Sequence, residues 1–231
     1  MKLSVIIPVY NEISTIEIII NKILNINIKS KEIIIVDDFS YDGTREKLQL
    51  FKKNKEIKVV LHEKNLGKGA CIKSASNYLS GDYVVIQDAD LEYDPNDLIS
   101  FVNFAEKNKA KVIYGSRVLG RTKLIFDFFV LSRIFGNFLL TKISNLINNQ
   151  NLTDAHTCYK FISKDIFEKL KLEQNDFSIC PEITTKISKL KIVIYEIPIS
   201  YNGRNYSQGK KIKSKDAFLA LSTLFKYRFS N

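Results

Sequence analysis

The 231-residue chain contains 45% hydrophobic and 26% charged residues, a balance that is typical of a globular domain and excludes a disordered chain. Its 35 basic and 25 acidic residues give a formal net charge of +10, which favours polyanionic partners: phosphorylated small molecules, nucleic acid or anionic lipid headgroups. Three widely spaced cysteines and two histidines argue against a disulfide scaffold and a structural zinc site, and they fit reduced thiols in the cytoplasm.

The first half of the chain alternates β-rich and helical patterns. The strand patterns contain few polar positions, which predicts burial on both faces, as in a parallel sheet covered by helices. In such sheets ligands bind outside the carboxyl ends of the strands, so we expect functional residues where the strands end. The predicted strands span residues 3–9, 32–36, 57–61, 82–86 and 111–114, and the predicted helices span 14–24, 44–53, 69–79 and 95–108.

The second half is less regular. The apolar stretch at 124–147 is interrupted by charged and amide side chains, so it lacks the roughly 20 apolar residues of a membrane span. Its phenylalanines and basic residues predict a helix pair that lies in a lipid interface; a buried helix or a dimer contact is the alternative. The basic tail after residue 201 adds attraction to anionic headgroups. Further patterns predict strands at 158–162 and 192–199 and helices at 163–170, 181–190 and 217–227.

Two aspartates follow the fourth predicted strand. Asp88 and Asp90 are two residues apart, so in an extended chain their side chains share a face about 7 Å apart. Carboxylates in this arrangement suit Mg²⁺ or Mn²⁺, which keeps open positions for substrate phosphates and neutralises charge on a departing diphosphate. The alternative is a pair of solvated aspartates that opens a loop.

Polar and aromatic side chains also follow the first two predicted strands. Tyr10 and Glu12 follow the first, and Asp37 and Asp38 follow the second, which indicates a pocket for a nucleobase and a ribose. Capping of a turn and a helix is the alternative role for this region. Lys68 stands in the run Asn-Leu-Gly-Lys-Gly before a predicted helix, where backbone amides and the ammonium group favour an anion; a simple glycine turn is the alternative.

Four motifs occur in the order and spacing of family 2 glycosyltransferases. They are Val-Ile-Ile-Pro-Val-Tyr-Asn-Glu at 5–12, Ile-Val-Asp-Asp-Phe-Ser-Tyr-Asp-Gly-Thr at 35–44, Asn-Leu-Gly-Lys-Gly-Ala at 65–70 and Asp-Ala-Asp-Leu-Glu at 88–92. The chain therefore resembles this family, and within it the dolichyl- or polyprenyl-phosphate sugar synthases, over most of its length. The resemblance implies an α/β fold of the GT-A type: a Rossmann-like, mostly parallel sheet covered by helices. The apolar and basic pattern at 124–147 adds the expectation of C-terminal helices at the membrane interface.

The resemblance also implies roles for individual residues. Asp88 is expected near the ribose or diphosphate, and Asp90 is expected to be the principal ligand of Mg²⁺ or Mn²⁺. Glu92 stands where this branch often has glutamine. The nucleoside pocket is expected to contain Pro8, Tyr10, Glu12 and Asp37.

Basic residues are expected to bind the phosphate groups. The resemblance places Arg117, after the fifth strand, and Arg204, in a late loop that also carries Lys210, beside the donor and acceptor. Guanidinium groups suit phosphate oxygens because they donate paired hydrogen bonds. Lys68 is expected to join them. Asp154 is a candidate general base if the acceptor is a hydroxyl group, and a helix cap is its alternative role.

The patterns and the resemblance together imply a metal-dependent hexosyltransferase, and the resemblance implies that it inverts the anomeric centre. We expect it to transfer a sugar from a UDP- or GDP-sugar to a polyprenyl phosphate, with a glycan hydroxyl as the alternative acceptor. A single domain is expected at 1–231, with a nucleotide-sugar-binding half at about 1–120 and an acceptor- and membrane-facing half at about 121–231. The expected location is the cytoplasmic face of an anionic membrane. No recognition helix or aromatic stacking sheet is evident, so we expect no nucleic acid partner. A non-catalytic module that binds a membrane or nucleic acid is the distant alternative.

Overall fold

The computed structural model describes the backbone of residues 1–121, 128–204 and 214–230, and the side chains of these residues except 128–133 and 214–216. The strands are β1 (Leu3–Val9), β2 (Lys31–Asp37), β3 (Ile57–Leu61), β4 (Tyr83–Ile86), β5 (Val112–Ser116), β6 (Lys160–Ser163) and β7 (Tyr195–Pro198). They form one sheet in the order β3-β2-β1-β4-β6-β5-β7. β6 runs antiparallel to β4 and β5, and the other neighbouring pairs are parallel.

Eight helices connect and cover these strands in the described parts of the chain. They are α1 (Ile16–Asn25), α2 (Thr44–Gln49), α3 (Lys68–Ser76), α4 (Asp97–Asn108), α5 (Phe128–Asn148), α6 (Lys164–Lys169), α7 (Ile179–Lys189) and α8 (Ser214–Phe229). α8 packs against α5 and α7.

The sheet is buried on both faces. Along β1, Val5 and Ile7 belong to one hydrophobic cluster with α1 and α4, whereas Ile6 belongs to a second cluster with α3, α6 and α7. Successive side chains of a strand point to opposite faces, so a continuous apolar run supplies both clusters. The prediction of a mostly parallel α/β sheet covered by helices is confirmed.

One feature of the local structure was not predicted, and two predictions differ from the observed elements. The antiparallel direction of β6 was not predicted, because a strand's own residues do not specify its neighbours. The helix predicted from residue 95 begins at Asp97, after a turn in which the Asp94 carboxylate accepts a hydrogen bond from the Asn96 amide at 3.1 Å. In the predicted helix pair at 124–147, the described residues form one helix, α5, and residues 122–127 lie outside the described part of the chain.

The strand order brings the carboxyl ends of β1, β2 and β4 together. β1 lies between β2 and β4, with Val9 opposite Asp37 and Ile6 opposite Ile86. The loops that follow these three strands therefore meet at one edge of the sheet, where ligands bind in folds of this type.

Candidate active site

A cleft of about 600 Å³ opens at this edge of the sheet. It brings together eight of the predicted site residues: Pro8, Tyr10, Glu12, Lys68, Asp88, Asp90, Arg117 and Arg204. These residues come from five separate loops and helix starts. Asp38, which the sequence analysis named beside Asp37, also lies in the wall. Other residues of the wall were not selected from the sequence: Asn65, Tyr93, His156, Cys158, Phe177 and Tyr201.

Asp88 and Asp90 lie at the floor of the cleft, immediately after β4. Partial burial raises the pKa of the Asp90 carboxyl to about 6, and the neighbouring carboxylates of Asp88 and Glu92 add to this effect. Such a concentration of acidic oxygen atoms at a partly solvent-accessible site fits a hard divalent cation. The residues present are therefore compatible with Mg²⁺ or Mn²⁺, with Asp88 and Asp90 as its protein ligands.

Arg204 bridges the loops that follow β1 and β4. Its Nη1 and Nη2 atoms donate to Oε2 and Oε1 of Glu12 at 3.1 and 3.0 Å, and Nη2 also lies 3.1 Å from Oδ2 of Asp90. Burial by itself would lower the pKa of Arg204, but the Glu12 and Asp90 carboxylates outweigh it and raise the pKa above its usual value. The guanidinium therefore remains charged in the cleft.

Lys68 provides a second buried cation. It is the first residue of α3, and its side chain is only 9% exposed. Its Nζ atom forms a salt bridge with Asp88 and lies 3.2 Å from Sγ of Cys158. Burial lowers the pKa of Lys68, whereas the Asp88 carboxylate raises it, and the balance lies well above the usual value. Lys68 is thus placed to contact an anion bound beside Asp88.

At the expected nucleoside end, Asp38 lines the cleft and Asp37 does not. Asp37 is fully buried, where its Oδ2 accepts from Nε of Arg45 at 2.6 Å. Asp37 is therefore not part of the cleft wall in this structure: its side chain pairs with Arg45, and its expected contact with the nucleoside stays a prediction. Asp38 instead accepts hydrogen bonds from the amides of Leu66 and Gly67 at 2.8 and 2.7 Å.

The Asp38 carboxylate also lies in a cluster with His62 and Cys71 that has the composition of a metal site. Oδ1 of Asp38 is 2.8 Å from Nδ1 of His62, and Nε2 of His62 is 2.9 Å from the hydroxyl of Ser74. With the two amide donors described above, these hydrogen bonds satisfy the carboxylate and the imidazole. We interpret the cluster as a structural hydrogen-bond network that stabilises the cleft wall.

Arg117 enters the cleft from the end of β5 and is oriented by Asp154. Its Nε and Nη2 atoms donate to the two carboxylate oxygens of Asp154 at 2.7 and 2.8 Å. Asp154 is fully buried, and Asn137 also donates to it at 3.1 Å. Burial raises the pKa of Asp154, but the Arg117 guanidinium and the hydrogen bonds outweigh it and lower the pKa.

This geometry does not support Asp154 as a general base. The carboxylate is not part of the cleft wall, its oxygens are engaged by cations and amides, and its lowered pKa makes it a weak proton acceptor. Asp154 instead holds Arg117 at 5.2 Å from the ring of Tyr201, on the inner side of the cleft. Lys210 lies outside the described residues.

The residues that the sequence analysis missed lack a recognisable pattern. Tyr201 and Phe177 lie in irregular segments, and only packing brings their rings to the cleft. His156, which the sequence analysis did not select, also lines the cleft. Burial lowers its pKa to about 4, so the imidazole is neutral at pH 7. Glu92 also lines the cleft, and the sequence could have indicated it because glutamine is common at this position in the branch that the chain resembles.

The family model that describes glycosyl transferase family 2 matches residues 4–171. The chain belongs to this family. Among its curated relatives, dolichol-phosphate mannosyltransferase of Pyrococcus furiosus is 29% identical over 98% of this chain and 63% of its own length. UDP-N-acetylglucosamine–dolichyl-phosphate N-acetylglucosaminyltransferase of Methanococcus voltae is 27% identical over 89% of this chain and 87% of its own length. This glycosyltransferase therefore spans less than two thirds of the Pyrococcus relative.

Solved structures share the fold of this glycosyltransferase. Glucosyl-3-phosphoglycerate synthase from Mycobacterium tuberculosis, solved with Mn²⁺, UDP and phosphoglyceric acid, superimposes with a TM-score of 0.73 at 17% identity. The match covers 99% of this chain and 78% of that structure. TarS from S. aureus, solved with UDP-GlcNAc, gives a TM-score of 0.64 at 17% identity over 98% of this chain and 66% of that structure. The GT-A fold expected from the motifs is thereby confirmed.

Proposed function

We propose that this family 2 glycosyltransferase transfers a hexose-type sugar, with inversion, from a UDP- or GDP-sugar to a polyprenyl phosphate. The observation that carries the proposal is the cleft in which Asp88 and Asp90 face the cations Lys68, Arg117 and Arg204. A nucleotide sugar and a lipid phosphate are both anions, and this site offers a metal position and three basic groups for them. Two relatives whose names include dolichol phosphate or dolichyl phosphate support the same acceptor class.

The donor is assigned to the first half of the chain, at about 1–120. Pro8, Tyr10 and Asp38 border the end of the cleft suited to a nucleoside, since the ring of Tyr10 can pack on a base and the carboxylate can accept from it. Asp88 and Asp90 would hold Mg²⁺ or Mn²⁺, and this ion would neutralise the charge on the departing diphosphate. Lys68 adds a fixed positive charge at the same place.

A phosphate acceptor matches the environment of Asp154, the candidate base of the sequence analysis. Asp154 is engaged by Arg117, and an acceptor phosphate is already an anionic nucleophile that requires no proton removal. Arg117 would hold that phosphate while one of the phosphate oxygens attacks the anomeric carbon from the side opposite the diphosphate. This in-line attack would invert the anomeric centre.

Exposed apolar residues on α5 and α8 support a location at the membrane surface. Among the described residues, none of the helices combines the length and hydrophobicity of a transmembrane span. The two helices nevertheless present large apolar side chains to solvent beside basic residues, a combination that suits a lipid interface. We propose a peripheral position at the cytoplasmic face for the half at about 121–231. The exposed side chains are Phe135, Phe138, Leu139, Leu146, Phe218, Leu219, Phe225 and Phe229.

The proposal is tested by incubating the protein with labelled UDP- and GDP-sugars, Mn²⁺ and a short polyprenyl phosphate. We expect label from one donor to enter the organic phase. The Asp90→Asn variant, which keeps the size of the side chain but removes its charge, should lose at least about 100-fold in transfer rate. Label that remains in a water-soluble glycan would instead support the hydroxyl acceptor. Full activity of Asp90→Asn would contradict the assigned metal ligand.

A further inference from the structure

The guanidinium of Arg204 lies where a cation bound to the carboxylates of the cleft would lie. Nη2 is 3.1 Å from Oδ2 of Asp90, the carboxylate assigned to the divalent metal, and 3.0 Å from Oε1 of Glu12. Arg204 and Asp90 are only 19% and 18% exposed, and Glu12 is more deeply buried. The carboxylate group that would bind a metal is therefore already paired with a cation of the protein itself.

This position of Arg204 is supported by the segment that carries it, which we call the cleft strap (residues 201–204). The Tyr201 hydroxyl donates to Oε2 of Glu92 at 2.8 Å, and the backbone amide of Arg204 donates to Oε1 of the same carboxylate at 2.6 Å. The Asn202 amide donates to the backbone carbonyl of Glu92 at 2.9 Å. Glu92 thus ties the cleft strap to the loop that carries Asp90.

A divalent ion and Arg204 cannot both use the same carboxylate oxygen without strong repulsion. Two cations that share an oxygen lie only a few ångströms apart, and the partly buried cleft screens their repulsion less than water does. Conversely, a nucleoside diphosphate would offer Arg204 new oxygen acceptors that match its guanidinium. Arg204 can therefore pair with Asp90 when no nucleotide is bound and leave it for the diphosphate when nucleotide binds.

We propose that Arg204 occupies the cation position of Asp90 in the nucleotide-free enzyme and that divalent-metal binding is an exchange against this guanidinium. The inference rests on the metal site of the proposed function. Arg204 weakens the binding of free metal, and it moves to the diphosphate when metal and nucleotide bind together. Metal and nucleotide consequently strengthen each other's binding, and the coupling passes through Arg204.

The test is direct titration of Mn²⁺, with the free ion followed by its paramagnetic resonance signal, in the absence and presence of UDP or GDP. Arg204→Gln should bind Mn²⁺ alone at least about tenfold more tightly than the wild type, because the competing charge is removed. Nucleotide should tighten Mn²⁺ binding less in this variant than in the wild type. Arg121→Gln, which removes the same charge from an exposed residue, serves as the matched control and should leave the affinity unchanged.

A second variant keeps the test decisive if Arg204→Gln does not fold. Tyr201→Phe removes the hydroxyl that donates to Glu92 without changing any charge, so it loosens the cleft strap and should also tighten Mn²⁺ binding, by a smaller factor. Unchanged or weaker binding in both folded variants would overturn the exchange while the metal site stands. Failure of every form to bind Mn²⁺, with or without nucleotide, would overturn the metal site itself.

Discussion

At the scale of single residues, Lys68 connects the metal position to the rest of the cleft floor. Its ammonium group is buried between the Asp88 carboxylate and the Cys158 thiol. A charged group that is fixed in a partly desolvated site stabilises developing negative charge more strongly than a mobile surface lysine does. Lys68 is the first residue of α3, so the helix fixes the position of its backbone.

We predict that Lys68→Met reduces kcat/KM for the nucleotide sugar by about 100-fold. Methionine preserves the length of the side chain but removes the charge that faces Asp88 and the diphosphate. Steady-state kinetics with the preferred donor measure this effect. Lys55→Met, which removes a charge from an exposed residue, is the control. Equal activities of the two variants would show that Lys68 only completes the ion pair with Asp88.

At the scale of elements, two glycines allow the loop before α7 to pack against the start of α3. Gly67 has a φ of +95°, and a Cβ atom at Gly69 would lie 2.4 Å from the backbone oxygen of Gln174. The close approach permits the Ala70 amide to donate to the carbonyl of Asn175 at 3.1 Å. Phe177, which lines the cleft, follows this contact directly.

Gly69→Ala is predicted to lower the free energy of unfolding by about 1–3 kcal/mol, because its methyl group would overlap backbone that cannot move independently. It should also raise the KM for the donor, since Phe177 would shift with the loop. Urea unfolding and donor titration measure the two effects. The control Gly136→Ala adds the same methyl group to α5, where no described atom lies within 4 Å, and should not destabilise the protein.

The apolar residues of α8 give a second prediction for an element. Phe218 and Phe225 are 75% and 52% exposed. Replacing both with aspartate should weaken binding to vesicles that contain anionic lipid by at least about tenfold. The aspartates remove apolar area that would be buried in the bilayer, and the anionic headgroups repel their negative charges. Co-sedimentation with vesicles is the measurement. Leu50→Asp, at an equally exposed apolar position after α2, should bind as the wild type does.

At the scale of the whole molecule, residues from both ends of the chain complete one site. Glu12 and Arg204 are 192 positions apart and form paired hydrogen bonds in the cleft. This contact depends on β5 and β7 being parallel neighbours, which brings the cleft strap to the same edge of the sheet as the end of β1. The two halves of the chain are therefore parts of one site.

The core of the second half contains a buried cation, Lys160, that affects the stability of the molecule. Its Nζ atom donates to the Ala155 carbonyl at 2.9 Å and lies 3.8 Å from the centre of the Tyr114 ring. Burial lowers the pKa of Lys160 to about 8, below its value of 10.5 in an unfolded chain. Between these two values the unfolded chain binds more protons, so the contribution of Lys160 to stability increases as the pH rises.

The free energy of unfolding of the wild type should therefore increase relative to Lys160→Met by about 2 kcal/mol between pH 7 and about pH 9.5. Below pH 8 the lysine is charged in both states and the cost of burying it is fully present. Urea unfolding of both proteins at the two pH values measures the difference. A difference that does not change with pH would show that Lys160 keeps its ordinary pKa in the folded protein.

The sequence by itself determined the class of fold and the family, and it predicted the main site residues. Apolar strand patterns predict a sheet that is buried on both faces, and motifs at strand ends predict that Asp88 and Asp90 share a site, because these properties depend on local spacing. Whether Asp37 or Asp38 faces the cleft depends on the direction of each side chain where β2 ends. The partners of Arg117 and Arg204 lie 37 and up to 192 residues away. Only the tertiary structure decided these points, since ion pairing depends on which distant segments the packed sheet brings together.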